Sequence, residues 1–237
     1  MDQQLLANAY KNGTIELKGR FTLGSNYTFL VTISGEGQEF SAVYKPQRGE
    51  QPLWDFPENT LAGREVAAYH IDQVLQWSLV PFTMFREDGP FGAGSLQAYI
   101  DYNPNYHYFS FKPADIQKLH PVALFDHITN NADRKGSHIL FEKNTRHLYA
   151  IDHGLCFHTE DKLRTVIWDF AGEPISEAHL QSIRQIASPS DDLLQQLTPF
   201  LLDEEIMALT KRAENLLREA VYPQAPGDRR AFPYPPL

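Results

Sequence analysis

The chain has 237 residues, 42% of them hydrophobic and 22% charged, ordinary values for a soluble globular protein and enough for one large domain or two small lobes around a cleft. A net charge of −9 argues against nucleic acid or an anionic membrane as a bulk partner, and a single cysteine, Cys156, excludes an internal disulfide and any cysteine-based zinc motif. No apolar run approaches the roughly 18–20 residues that span a bilayer, and the polar start MDQQLLANAYKNG lacks a signal-peptide core, so a cytoplasmic location is expected.

In chain order, TIELKGRF and YTFLVTI alternate polar and apolar residues on either side of TLGSN, which predicts a β-hairpin. QEFSAVYKP (Gln38–Pro46) predicts a third strand that ends on Lys45 and is stopped by Pro46. QRGEQPLWDFPENT carries too much Pro and Gly for regular structure and reads as a loop. LAGREVAAYHIDQVLQW predicts a helix, with Thr60 as its N-cap and Val66, Tyr69, His70 and Val74 near helical spacing. SLVPFTMFRED and GSLQAYIDY, flanking the turn DGPFG, predict two more strands.

Beyond Asn103 the pattern turns helical. PADIQKLHPVALFDHITNN offers Leu119, Val122, Ala123 and Ile128 for burial, and SHILFE and HLYAID predict two short strands joined by KNTR. SEAHLQSIRQIA, SDDLLQQLTPFL and DEEIMALTKRAENLLREAV predict three further helices, the first and third opening on Ser or Asp caps. The ending PQAPGDRRAFPYPPL is Pro-rich and is expected to be extended or disordered. There are no internal repeats. The expected organisation is a β-rich lobe over 1–101, a helical lobe over 102–222 and a tail over 223–237, with the lobe boundary near Asp101–Asn105.

The stretch NNADRKGSHILFEKNTRHLYAIDHGLCFH concentrates the chemistry. Asp133 precedes the first strand of a hairpin and Asp152 ends the second, so both carboxylates can face one point. Mg²⁺ takes such oxygens together with substrate phosphates, and His138 can reach the same point from the start of the strand. Each residue alone also fits a turn or cap. A zinc or iron site of His138, His153 and His158 is the rival chemistry, without a helical HxxxH pair to support it.

The order of motifs favours phosphoryl transfer from ATP, which needs a lid over the phosphates, a lysine, its carboxylate partner and metal-binding carboxylates. GRFTLGSN can cover phosphates with backbone N–H groups, the Ser25 hydroxyl and the Asn26 amide; Lys45 and Glu65 follow; SLQAYID, with Gln97, Ala98 and Tyr99, reaches the lobe boundary where adenine would sit; Asp133 and Asp152 come last. Neither a Walker A motif nor GxGxxG is present.

DRKGSH followed by IDHG resembles the catalytic and metal-binding loops of phosphatidylinositol 3- and 4-kinases. VYKP, PLWDFP, TLAGREVAAY, NADRKGSH, IDHGLCFH and LRTVIWDFAGEP are more closely similar to an uncharacterised bacterial phosphatidylinositol-kinase-like family, over roughly Gly19 to Pro174. The resemblance implies an α+β, two-lobed, protein-kinase-like fold, with a small antiparallel N-terminal lobe carrying one helix and a larger, mainly helical C-terminal lobe. It implies ATP with Mg²⁺ or Mn²⁺ as cofactors, Lys45 on the α- and β-phosphates, Glu65 orienting it, Asp133 as the catalytic aspartate and Asp152 as metal ligand. The kinase asparagine falls at His138, expected on the metal, and His153 replaces the usual phenylalanine of the DFG-like turn. Arg134 and Lys135 are expected either beside the transferring phosphoryl or facing solvent. Trp168 and Phe170 in LRTVIWDF serve as an acceptor platform or as core.

The expected activity is an atypical kinase whose acceptor is a protein or small-molecule hydroxyl rather than a lipid, because the chain is acidic and lacks a basic amphipathic helix. The alternatives are a nucleotide-binding pseudokinase, a nucleotidyl (AMP) transferase on the same fold, and a His/Asp metal hydrolase.

Overall fold

A computed structural model describes residues 3–22 and 26–237. The N-terminal lobe is a five-stranded antiparallel sheet of β1 (Thr14–Arg20), β2 (Phe29–Gly35), β3 (Gln38–Pro46), β4 (Thr83–Gly89) and β5 (Gly92–Ala98), in the order β1-β2-β3-β5-β4. The expected strands are present, and β1 pairs with β2 as the hairpin pattern implied. Period-two alternation buries Phe40, Ala42 and Tyr44 on one face of β3 and leaves Lys45 on the other.

A helix the sequence reading did not anticipate, α1 (Gln3–Asn12), packs Ala9 and Tyr10 into the core formed by Val31, Ile33, Phe40, Ala42 and Leu96. It approaches the sheet closely because Gly35 has no side chain. A Cβ there would lie 3.1 Å from the Ala9 Cα.

Helix α2 (Leu61–Leu75) is buried along most of its length, and Ala67, Ala68, Ile71 and Leu75 belong to the core of the C-terminal lobe. It stops short of Trp77 because Gln76 turns left-handed, with φ 59°. Thr60 takes the N-cap position as expected, its carbonyl accepting from Arg64 N at 3.1 Å, but its side chain caps no backbone N–H. Its hydroxyl bonds Pro57 O, while the Glu50 carboxylate reaches across from the preceding loop to accept from Leu61 N (3.2 Å) and Ala62 N (2.9 Å). A charged acceptor at the positive end of the helix satisfies two otherwise orphaned donors.

The C-terminal lobe contains α3 (Pro113–Ile116), α4 (His120–Thr129), the short ladder β6 (Ile139–Phe141) with β7 (Leu148–Ala150), and helices α5 (Glu177–Ala187), α6 (Asp191–Leu197) and α7 (Asp203–Glu219). The single helix expected from Pro113 onward is broken by a 3-10 turn over Gln117–Leu119. Pro121 lacks the N–H that a continuous helix would need and is tolerated only in the first turn of a new one. Leu119, Val122, Ala123 and Ile128 are buried as expected. Ser176 and Ser190 cap α5 and α6, whereas α7 is preceded by Leu202, whose N–H bonds Glu205 at 3.0 Å. Among the described residues no helix is long and apolar enough to cross a membrane.

Candidate active site

Lys45, at the end of β3, is 22% exposed and makes two ion pairs, with Glu65 of α2 and with Asp152 (Oδ1, 2.9 Å) beyond β7. Burial opposes the charge on Lys45, but the Asp152 and Glu65 carboxylates outweigh it and hold the pKa above the ordinary lysine value. Glu65 is 2% exposed and its second oxygen accepts the His153 N–H at 3.1 Å, so α2 is joined to the Ile151–Gly154 turn as well as to the lysine.

Asp152 adopts a left-handed conformation with φ 64°, which costs free energy for a non-glycine residue and is held by its surroundings. Burial acts to raise its pKa, yet Lys45 first and His138 second hold it far below the carboxylate range. His138 Nε2 lies 3.2 Å from Asp152 Oδ2, and its Nδ1 accepts from Lys135 N at 3.3 Å. Burial keeps this imidazole neutral, with its pKa lowered to about 4 despite the Asp152 charge. The pattern places its proton on Nε2, facing Asp152, and leaves no free nitrogen lone pair. His138, expected as a metal ligand, thus faces Asp152 through Nε2 and the Lys135 N–H through Nδ1.

Asp133 follows the buried Asn131, whose side chain accepts the Asp133 N–H at 2.9 Å. Lys135 Nζ stands 3.3 Å from its carboxylate. Partial burial pushes the Asp133 pKa up to about 6; Lys135 lowers it, Asp152 raises it and Arg164 lowers it. At neutral pH Asp133 is thus ionised and close to the pKa at which a carboxylate can accept a proton.

Arg134, expected beside the phosphoryl or facing solvent, does not face solvent. It is 0% exposed and its guanidinium grips Asp126, also 0% exposed, at 2.9 Å. It further donates to Ile151 O and lies 2.8 Å from His153 Nε2. The side chain does not reach solvent; it pins the Asp133 loop to the Asp152 turn. Burial holds Asp126 above the ordinary carboxylate value, with Arg134 and the Thr165 hydroxyl pulling the other way. His153 is buried against the edge of Phe125 (5.4 Å between centroids) and is held neutral, chiefly by burial and then by Arg134.

The nucleotide-side expectations divide. Ser25 lies outside the described residues. The Asn26 side chain accepts from Gln51 N at 2.8 Å, which ties it to the loop after β3. Gln97 is buried and donates to Thr83, while the N–H groups of Ala98 and Tyr99 bond Phe82 O and Ser41 O. The sheet consumes the donors of Ala98 and Tyr99. The next N–H along the chain, that of Ile100, makes no backbone bond among the described residues. Phe170 is core, and Trp168 meets His127 edge-on and donates to Ala231 O, so neither stands free as an acceptor platform.

Two features had weak local signals. Asp126 lies in an otherwise apolar helical run, where an acid implies a buried partner. Arg64, inside a mostly apolar helix, donates to Cys156 O and pairs with Glu205, stapling α2 to α7.

The model of the phosphatidylinositol 3- and 4-kinase family matches residues 60–219, which is more than half of the chain. Protein Rv2133c of Mycobacterium tuberculosis is 36% identical over 260 residues, covering 94% of this chain and 92% of that protein. Among solved structures, a hydra Fam20 protein with sugar superposes with a TM-score of 0.60 at 13% identity, covering 93% of this chain and 90% of that one. The Helicobacter pylori proinflammatory kinase CtkA superposes at 0.54 and 12% identity, covering 90% of this chain and 94% of that one. These likenesses show a kinase-like fold, and the chain belongs to the phosphatidylinositol 3- and 4-kinase family.

Proposed function

We propose that the chain binds ATP with Mg²⁺ or Mn²⁺ between its two lobes and transfers the γ-phosphoryl group to a hydroxyl acceptor. The observation that carries this reading is the convergence of Lys45, Glu65 and Asp152, drawn from three distant segments onto one lysine ammonium. Lys45 is held charged for the phosphates, and Asp133 receives or positions the acceptor hydroxyl. The backbone near Ile100 meets the adenine edge.

Among the described residues no group of three or more His, Cys, Asp or Glu side chains could hold a metal by itself. Asp152 nevertheless suits an ion that completes its shell with phosphate oxygens and water, as Mg²⁺ and Mn²⁺ do. Such an ion would neutralise phosphate charge during transfer. His138 fixes the Asp152 carboxylate through Nε2.

Thermal unfolding with ATP and Mn²⁺ or Mg²⁺ tests the site, since ligand at a hundred times its Kd stabilises by about 2.7 kcal/mol. Asp133→Asn is expected to keep the melting shift and lose transfer. No shift with any nucleotide–metal pair would refute the reading. A pseudokinase is the second reading, favoured by His138 standing with both nitrogens engaged where kinases carry asparagine; nucleotide binding without Asp133-dependent labelling would support it. An AMP adduct on the product, resolved by mass spectrometry, would identify nucleotidyl transfer.

A further inference from the structure

The Pro-rich ending is not loose. Arg229 donates to Leu163 O at 2.7 Å and pairs with Asp161 at 2.5 Å. Ala231 O then accepts from Thr165 N (3.1 Å) and from the Trp168 indole (3.3 Å), and Pro236 O accepts from Gly136 N (2.8 Å). Thr165 pairs with Arg134, the residue after Asp133, and Gly136 lies three residues past Asp133. Arg134 N bonds Arg164 O at 3.0 Å and Val166 N bonds Arg134 O at 3.2 Å, so the Asp133 loop and the 163–166 segment run side by side. The tail lies against both.

Its side chains alternate. Ala231 and Pro233 are buried while Phe232 and Tyr234 are exposed, the period of an extended segment seated in a groove. Main-chain bonds plus alternating pockets are how extended peptides are held on a protein surface. Proline at 233, 235 and 236 reduces the conformational entropy lost on docking. Between the tail and the Tyr108–Phe109 turn a cavity of about 510 Å³ remains, large enough for side chains of an occupant. Phe109 also packs over Gly136, where a Cβ would lie 2.9 Å from the ring.

We propose that this groove binds an extended polypeptide segment as the phosphoryl acceptor, and that the tail occupies it as a built-in competitor. The inference rests on the kinase reading above. Residues 223–237 contain no serine or threonine, and their one hydroxyl is the Tyr234 phenol. A bound peptide would take over the Thr165 and Gly136 donors. Its Ser or Thr oxygen would form a bond to the γ-phosphorus as the bond to the β–γ bridging oxygen breaks; ADP leaves and the hydroxyl proton passes to Asp133.

The test compares the intact chain with one ending at Arg230, using ATP–Mn²⁺, a Ser/Thr peptide library and dephosphorylated casein, with incorporation read by mass spectrometry. Removing 231–237 is expected to raise incorporation at least fivefold, and a synthetic peptide of residues 230–237 returns it to the intact level. Ala231→Asp in the full chain, which places a charge at a buried position, reproduces the rise without shortening the protein. Equal or lower incorporation in both variants, with the ATP–Mn²⁺ melting shift unchanged, overturns the proposal while leaving the nucleotide reading intact. Loss of that shift in the intact chain brings down both. Labelling of simple polyols but no peptide, or of Tyr234 itself, overturns the acceptor class or the competitor role.

Discussion

Arg134→Met separates a buried pin from a catalytic cation. In the structure Arg134 and Asp126 are each 0% exposed, and the guanidinium also serves Ile151 O and His153. Truncating one partner of a buried ion pair costs about 3–5 kcal/mol, because the other charge is left without compensation. For a chain of this size 1 kcal/mol moves Tm by about 2–4 °C, so the variant should melt roughly 6–20 °C below the parent. The double variant Arg134→Met/Asp126→Leu removes both charges and should recover a large part of that loss, since apolar replacement of a buried pair is often neutral. Arg134→Lys should fall between, because an ammonium cannot reproduce the planar guanidinium that serves Asp126, Ile151 O and His153 at once. Urea and thermal unfolding measure all three, alongside ATP-dependent transfer at a temperature where every variant is folded. If Arg134→Met unfolds within about 1 kcal/mol of the parent, well under the cost expected for a buried pair, yet has lost transfer, the arginine acts on the phosphoryl group and the burial argument is wrong.

Two further predictions concern folding. Glu50→Ala removes the acceptor of two α2 N–H groups and should cost about 1–2 kcal/mol, more than Thr60→Ala, whose hydroxyl caps nothing. Equal losses in urea titrations would show that the cap has been misassigned. Asp72 is buried under Leu79 and Val80, and burial raises its pKa from 3.8 to about 6 while the two backbone N–H groups pull it down. A carboxyl raised in the folded state favours folding fully below its unfolded pKa, and that contribution fades as pH rises through about 6. The gap corresponds to on the order of 3 kcal/mol between pH 4 and pH 7.5. Asp72→Asn should flatten that part of the stability profile, and an unchanged slope would count against the assignment.

The strands and most helices were legible because their signals are local. Alternation in Gln38–Pro46 buries Phe40, Ala42 and Tyr44 and turns Lys45 the other way whatever lies opposite. Helix α1 was missed because its two buried residues, Ala9 and Tyr10, give a short segment too little periodic signal. The break before α4 had its warning in Pro121, which a continuous helix cannot accommodate.

The site divides along the same line. Spacing by itself determined that Asp133 and Asp152 sit at the two ends of one hairpin and that Lys45 and Glu65 lie on a strand and the following helix. Only the tertiary structure decided which charges meet. Whether Arg134 faces a phosphate or Asp126 depends on a residue in another helix, and whether the Ala98 and Tyr99 donors are free depends on Phe82 and Ser41 across the sheet. The tail's composition permits an extended chain, but its place along the loop after Asp133 comes from the Thr165 and Gly136 donors, which no local pattern connects to it. Chain geometry is set over a few residues, whereas desolvation and charge pairing are set by whatever folding brings alongside.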